Sequence, residues 1–362
     1  MTVLRDITGN RALLTFMLGQ FTVDMYGGFL PVLYPLMALE FDLSNSDVGL
    51  IALAFTAASS LSQPAFGYIV DRFGSRLLAP ASLAWAAVMF GLAGLSPSSG
   101  FLVIAAFLAG LGSGAYHPLG ASNAARVTAD ARKNTAMSVY TVGGTSGYAL
   151  GPLLGAVVFG LLGRQGSVLM IPIGIASAVL VARSLRRLNL GRPVAAPTVA
   201  QAGEPTRIRW GLLVPVLAVV MLRSWAFLSV VTFIPLRFQD LGYGAAFYGS
   251  LTTVVIGCGA VGTIVGGMVA DRIGERRVLV GTLIACIPAL LLFAAFPGPG
   301  AFAIGALLGF LADGSLSVTL VMAQRLLPGR AGLASGFILG MGFVTGGIGV
   351  DLVVEVGGPN TM

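Results

Sequence analysis

Stretches of about 20 mainly apolar residues recur along this chain, the length an α-helix needs to cross the hydrocarbon core of a bilayer. They fall near 11–39, 45–69, 77–96, 100–125, 134–161, 165–183, 210–236, 245–270, 278–297, 300–324 and 331–350, eleven spans in all. The runs are continuous and lack the alternation of membrane strands, so helices are expected rather than a barrel. The first run contains Asp24 and ten more follow it, so it is not a cleavable signal peptide. Composition agrees: 10% of the 362 residues are charged and 56% are apolar, whereas a soluble domain carries about 25% charged residues. The excess apolar surface has to meet the lipid bilayer. The expected fold class is an all-α polytopic membrane protein.

A net charge of +7 could point to nucleic acid, but the placement of the basic residues argues against it. Eighteen of the 21 lie in alternate loops, from Arg5 and Arg11 through Arg126, Arg132 and Lys133 to Arg325 and Arg330. Arg164 and Arg237 fall opposite, and Arg223 lies inside a span. Basic loops stay cytoplasmic. The expected topology is therefore a multi-pass protein of the cell (inner) membrane, with its N-terminus in the cytoplasm and Glu40, Asp42 and Asp47 outside. Cys258 and Cys286 both sit in spans as small packing residues, with no CxxC motif. No metal, cofactor or nucleic-acid partner is expected.

The chain repeats itself. Gly67-Tyr-Ile-Val-Asp71-Arg72-Phe-Gly74-Ser-Arg76 ends the second span, and 200 residues later Gly267-Met-Val-Ala-Asp271-Arg272-Ile-Gly274-Glu-Arg276 ends the eighth. Gly49 and Gly249 share that offset, and Phe29-Leu30-Pro31 matches Phe233-Ile234-Pro235 at a slightly different one. The expected organisation is a six-helix half at 1–183, a flexible cytoplasmic linker at 184–209 and a second half at 210–350 with five helices. A divergent tail follows at 351–362. The linker carries Pro193, Pro197 and Pro205 and a cluster of arginines.

The G-x-x-x-D-R-x-G-x-R loop is similar to the signature loop of the major facilitator superfamily, with its weaker echo between helices 8 and 9. Each part has a physical role. Gly67 permits close helix packing, Gly74 relieves a tight turn, and Asp71 can face the positive end of a neighbouring helix. Arg72 and Arg76 suit the headgroup level. The resemblance implies that Gly67, Asp71, Arg72, Gly74 and Arg76, with Gly267, Asp271, Arg272, Gly274 and Arg276, form gating loops on the cytoplasmic side. Gly147-Tyr-Ala-Leu-Gly151-Pro152-Leu-Leu-Gly155 resembles the family's antiporter element. Its plainer reading is small-residue helix packing, with Pro152 bending the helix.

Leu61-Ser-Gln63-Pro64, Tyr116-His117-Pro118, Val142-Gly143-Gly144 and Ala323-Gln324-Arg325-Leu326-Leu327-Pro328-Gly329-Arg330 are similar to the fosmidomycin-resistance branch of drug–proton antiporters. The likeness runs from about residue 16 to 350. Four positions depart from that branch's pattern: Gln20 for His, Leu119 for an acid, Arg325 for Glu, and Ala106 for the Arg of many drug–proton antiporters.

Asp24, His117, Arg223 and Asp313 lie well inside spans. Each costs about 2.5–3.5 kcal/mol or more at mid-helix, so such residues usually face a cavity or a partner and mark function. The substrate and proton pathway is expected at Asp24, Gln20, Gln63, His117, Arg223 and Asp313. Asp24 and Asp313 suit proton carriage, and Arg223 suits an anionic group or a carboxylate partner. The plainer readings are a structural Arg223–Asp313 ion pair and a hydrogen-bonded packing histidine at His117.

The expected function is proton-coupled efflux of a small drug-like molecule by alternating access, with anions among the candidate substrates. A transporter of an organic anion or another metabolite is the alternative within transporters, and a non-transporting membrane sensor or transport-dead relative the alternative outside them. An enzyme is not expected: Ser113 and His117 share one helix, and no GxSxG occurs. Nor is there a G-x-x-x-x-G-K-[ST] for a nucleotide-driven pump. A monomer is expected. After Val350 no further apolar run occurs and Asp351 and Glu355 follow, which suggests either an eleven-span variant or a truncated or frameshifted chain lacking a twelfth span.

Overall fold

The computed structural model describes residues 9–192 and 210–357. Among the described residues every regular element is helical: α1 (Arg11–Phe41), α2 (Asn45–Phe73), α3 (Leu78–Gly94), α4 (Ser99–Arg126), α5 (Lys133–Leu162), α6 (Met170–Arg187), α7 (Trp210–Asp240), α8 (Ala245–Ile273), α9 (Glu275–Ala295), α10 (Ala301–Asp313), α11 (Leu316–Leu326) and α12 (Ala331–Gly357). Seven segments of the described residues are long and apolar enough to cross a membrane; one of them, Asp130–Arg187, holds both α5 and α6. In lipid a helix satisfies its own backbone groups, which is why apolar runs of this length take that form.

Helix ends follow local chemistry. The Ser44 hydroxyl accepts the Asp47 N–H while the Asp47 carboxylate accepts the Ser44 N–H, a capping box at the start of α2. Gly74 and Gly274 take φ of 82° and 94° after α2 and α8, a left-handed region open to glycine.

Three stretches depart from the sequence reading. The span expected at 300–324 is two helices broken at Gly314-Ser315. Gly314 is a poor helix former, and its carbonyl sits where a side chain on Gly266 of α8 would be. The linker expected from 184 begins later, because α6 runs to Arg187, with Arg186 and Arg187 in its last turn where cations oppose the helix dipole. Residues 193–209 of that linker lie outside the described residues. Finally, α12 continues through the expected tail to Gly357, and 358–362 lie outside the described residues.

The described chain forms two compact units, 9–128 with 139–192 and 324–340, and 129–138 with 210–323 and 341–357. In the first, Tyr26 stacks on Phe90 with ring centroids 5.3 Å apart and donates its hydroxyl to the Met170 carbonyl. In the second, Phe238, Leu251, Val255 and Phe293 form the core beneath the stacked Tyr243 and Phe247. Large apolar side chains such as Leu153, Leu161, Ile284 and Leu291 are exposed, as a lipid-facing surface requires.

Candidate functional site

The first unit buries a polar cluster contributed by α1, α4 and α5. Gln20 and Asp24 are one turn apart on α1, and the Gln20 Nε2 lies 2.7 Å from Asp24 Oδ2 and 2.7 Å from His117 Nδ1 on α4. The Tyr140 hydroxyl of α5 donates to Gln20 Oε1 at 2.5 Å. These contacts define the amide's orientation. Both of its N–H groups are used, one by the carboxylate and one by the imidazole, and its oxygen accepts from tyrosine. A flipped amide would set its oxygen against a carboxylate oxygen. In the unflipped orientation His117 Nδ1 is the acceptor, and the ring's Nε2 faces Asp24 Oδ1 at 3.4 Å.

Space for this cluster comes from glycine. A side chain on Gly144 of α5 would collide with Asp24 Oδ2. Sequence reasoning pairs Gln20 with Asp24 but gives Tyr140 and Gly144 no role. The available signal for Tyr140 is a tyrosine one turn before Gly144 in an apolar span.

The second unit holds the other pair. Arg223 on α7 donates through Nη1 to Asp313 Oδ1 and to the Ala312 carbonyl, both at 3.2 Å. The side chains are 5% and 11% exposed, so the ion pair is largely withdrawn from solvent. Thr263 of α8 donates to the Asp313 carbonyl at 3.0 Å, and a Cβ on Gly259 would lie 2.7 Å from Asp313 Oδ2. Arg223 lies seventeen residues before the end of α7 at Asp240, as Asp24 lies seventeen before the end of α1 at Phe41. The repeat has placed opposite charges at equivalent positions.

Gln63 joins neither group through a hydrogen bond. It is fully buried beside α12, where Gly336 and Gly340 approach the α2 backbone, and both of its amide atoms lack a partner.

The repeated loops carry matching carboxylates. Asp71 accepts the N–H groups of Gly332 and Leu333, at 2.9 and 2.8 Å, at the start of α12. Asp271 accepts the N–H groups of Asn134 and Thr135, at 3.0 and 2.9 Å, at the start of α5, and also their side chains, at 2.9 and 2.5 Å. The first N–H groups of a helix have no partner within it, so each acid satisfies donors at the positive end of a dipole. Gly67 and Gly267 let the backbones meet: a side chain at either would strike Gly332 or Asn134 and Ser138. Arg72, Arg272 and Arg276 are exposed, and Arg72 donates to the Tyr68 hydroxyl at 3.2 Å. The N–H groups of Ser75 and Arg76 both donate to the Gly191 carbonyl, at 2.8 and 3.0 Å.

Gly147, Gly151 and Gly155 of α5 face α1. A Cβ on Gly151 would lie 2.7 Å from Gly28 Cα, and one on Gly155 would lie 2.8 Å from the Phe29 ring. Pro152 packs against Gly28 in the same contact. This stripe therefore seats the helix that carries Asp24. Cys258 and Cys286 are free thiols.

A membrane-spanning helical chain with duplicated halves, mirrored loop carboxylates and charges buried in its spans has the architecture of a secondary transporter. The chain belongs to the Major Facilitator Superfamily, which its residues 16–350 match. It is an integral membrane transport protein rather than an enzyme. It is 30% identical over 340 residues to the fosmidomycin resistance protein of Escherichia coli (strain K12), covering 91% of this chain and 82% of that one. It is 31% identical over 339 residues to the uncharacterized MFS-type transporter YfnC of Bacillus subtilis (strain 168), covering 90% and 81%. Among solved structures, the human organic anion transporter MFSD10 (TETRAN) superposes with a TM-score of 0.76 at 19% identity, over 96% of this chain and 94% of that one. A variant of the Escherichia coli fucose:proton symporter FucP gives 0.71 at 13% identity, over 95% and 91%. At these identities the two structures speak for the fold.

Proposed function

We propose that this chain exports a small, drug-like molecule in exchange for protons by alternating access. It does so as a monomer in the cell (inner) membrane, with its N-terminus cytoplasmic, the side that the arginine-rich loops favour. The observation that carries the reading is Asp24: a carboxylate in an apolar span, held by Gln20 and facing the Nε2 of the chain's one histidine. A group placed there can take up and release a proton within a network that reorganises by moving hydrogens rather than helices. Arg223, Asp313 and Gln63 belong to the substrate pathway, and the paired loops around Asp71 and Asp271 act as gates. The relation to a fosmidomycin resistance protein supports efflux of a drug-like compound.

A second reading, proton-coupled movement of an organic anion or other metabolite, is favoured by the buried cation Arg223. Proton flux measured in proteoliposomes against a panel of candidate compounds tests the proposal. A compound that drives proton movement opposite to its own supports it, and transport with no proton flux refutes the coupling. Altered antimicrobial tolerance in a deletion strain favours efflux, whereas a growth defect on one nutrient favours uptake.

A further inference from the structure

Along the middle of α1 one stripe stays open. Asp24, Gly27, Pro31 and Tyr34 keep some exposure, while their neighbours Tyr26, Phe29 and Leu33 are buried. Spacings of three and four residues put the open positions on one face of the helix. At Gly27 two rings from other helices close in: Tyr148 of α5 and Phe55 of α2 come within 3.6 and 3.7 Å of the point where a Cβ would stand. At the adjoining Gly28 the α5 backbone lies directly on α1, and a Cβ there would strike the Tyr148 carbonyl. That contact sets the Tyr148 ring beside Gly27. The missing side chain leaves a notch about one methyl group deep, walled by the two rings.

The notch also has a polar group. Pro31 stands one turn after Gly27 inside α1. A helix carbonyl accepts from the N–H four residues on, and proline has none, so the Gly27 carbonyl has lost its helical donor. Within a span, a backbone acceptor freed in this way needs another donor. Tyr148 marks the notch as accessible. It stands midway along α5 and is 58% exposed, and its hydroxyl has no hydrogen-bond partner among the described residues. A phenol turned to hydrocarbon at that depth would leave its O–H unsatisfied. Tyr148 instead lies within electrostatic reach of Asp24 and Tyr34 on the open stripe. Plain packing between helices would bury the ring, as it buries Tyr26 and Tyr116.

We propose that this notch binds a flat aromatic ring of the transported molecule against Tyr148 and Phe55, with a donor on that ring meeting the Gly27 carbonyl. This rests on the reading of the chain as a transporter and narrows its cargo to aromatic compounds bearing an O–H or N–H. Ring-to-ring contact favours an aromatic group over a saturated one of the same bulk. The free carbonyl favours a donor over its methylated counterpart, which would leave the acceptor unpaired. Gly27 sets the depth of the notch and so which rings enter it.

Tritiated 2-naphthol is the probe, bound to the full chain in nanodiscs with the signal of empty nanodiscs subtracted. Three unlabelled compounds compete with it. 2-Naphthol has both ring and donor, 2-methoxynaphthalene keeps the ring and loses the donor, and decahydro-2-naphthol keeps the donor and loses the aromatic faces. The expected result is saturable binding that 2-naphthol displaces at least 10-fold better than either of the others. Gly27→Ala places a methyl at ordinary contact distance from both rings, so thermal unfolding should be unchanged while binding weakens at least 10-fold. Pro31→Ala returns an N–H to the Gly27 carbonyl and should abolish the preference for 2-naphthol over its methyl ether. The proposal is overturned by the absence of saturable binding, by equal displacement with decahydro-2-naphthol, or by undiminished binding to the Gly27→Ala protein. An unchanged preference in the Pro31→Ala protein overturns it as well. If the proline variant does not fold, the competition series and Gly27→Ala decide. Proton flux measured on the same preparation separates the two readings: selective binding without any flux leaves the site and removes the transporter reading, and flux driven by another compound without naphthol binding does the reverse.

Discussion

Asp24 and Arg223 stand at equivalent places in two repeats, yet their surroundings differ in kind. Around Asp24, the Gln20 amide, the imidazole and the Tyr140 hydroxyl pair off among themselves, and none of the four side chains has a buried polar atom without a partner. Around Arg223 the single acid leaves two guanidinium nitrogens unsatisfied. A saturated cluster is suited to hold and pass a proton, since adding one rearranges bonds already present. An unsaturated cluster in low dielectric is suited to receive a ligand, since the ligand supplies the missing partners. Duplication gave two copies of one scaffold, and the proposed division of labour between them rests on this difference in saturation.

The largest effect expected from breaking this contrast is at Asp24. Asp24→Asn keeps shape and polarity but removes the titrating group, so proton-driven transport in proteoliposomes should fall to background while circular dichroism stays native. Normal pH-driven transport by that protein would exclude Asp24 as the coupling group. Next comes Gly144→Ala. The added methyl has nowhere to go except against Asp24, and overpacking of this kind costs about 1–3 kcal/mol. Thermal unfolding in detergent should show a clearly larger loss than for Gly259→Ala, where the clash with Asp313 is milder. Equal losses would mean that the two clusters are equally tight.

The loop carboxylates offer a finer comparison. Losing a helix cap costs about 0.5–2 kcal/mol. Asp271 accepts four hydrogen bonds and Asp71 two. Asp271→Ala should therefore lower the unfolding temperature more than Asp71→Ala does. The smallest effect is at Tyr140→Phe, which removes one hydrogen bond worth about 1 kcal/mol. Transport should persist at a reduced rate, and a complete loss would assign Tyr140 a direct part in proton movement.

Much of this is open to reading from the chain. Apolar run length yields the helical membrane fold, and the repeated loop places Asp71 and Asp271 at matching turns. The one-turn spacing of Gln20 and Asp24 puts them on one face. The meeting of Asp24 with His117 is not visible there, because 93 residues separate them and helix packing alone brings them together. Tyr140 escapes notice because an aromatic residue in an apolar span looks like packing. The break at Gly314-Ser315 is hidden by abundance: with 51 glycines, one more inside a span carries little information. The length of α12 exceeds the sequence reading because Asp351 and Glu355 argue against membrane burial but do not prevent helix formation.

The carbonyl of Gly191 bears on how this gene can be divided. It accepts two amides of the first signature loop, at Ser75 and Arg76, from a residue with φ of 76°. Natural or engineered versions that make the two halves as separate polypeptides would have to leave this residue on the first. A break after Arg192 preserves the clasp, so co-expressed fragments should reassemble. A break at the nominal end of the sixth span, after Arg183, would cut α6 itself and hand its last turn and the clasp to the wrong fragment.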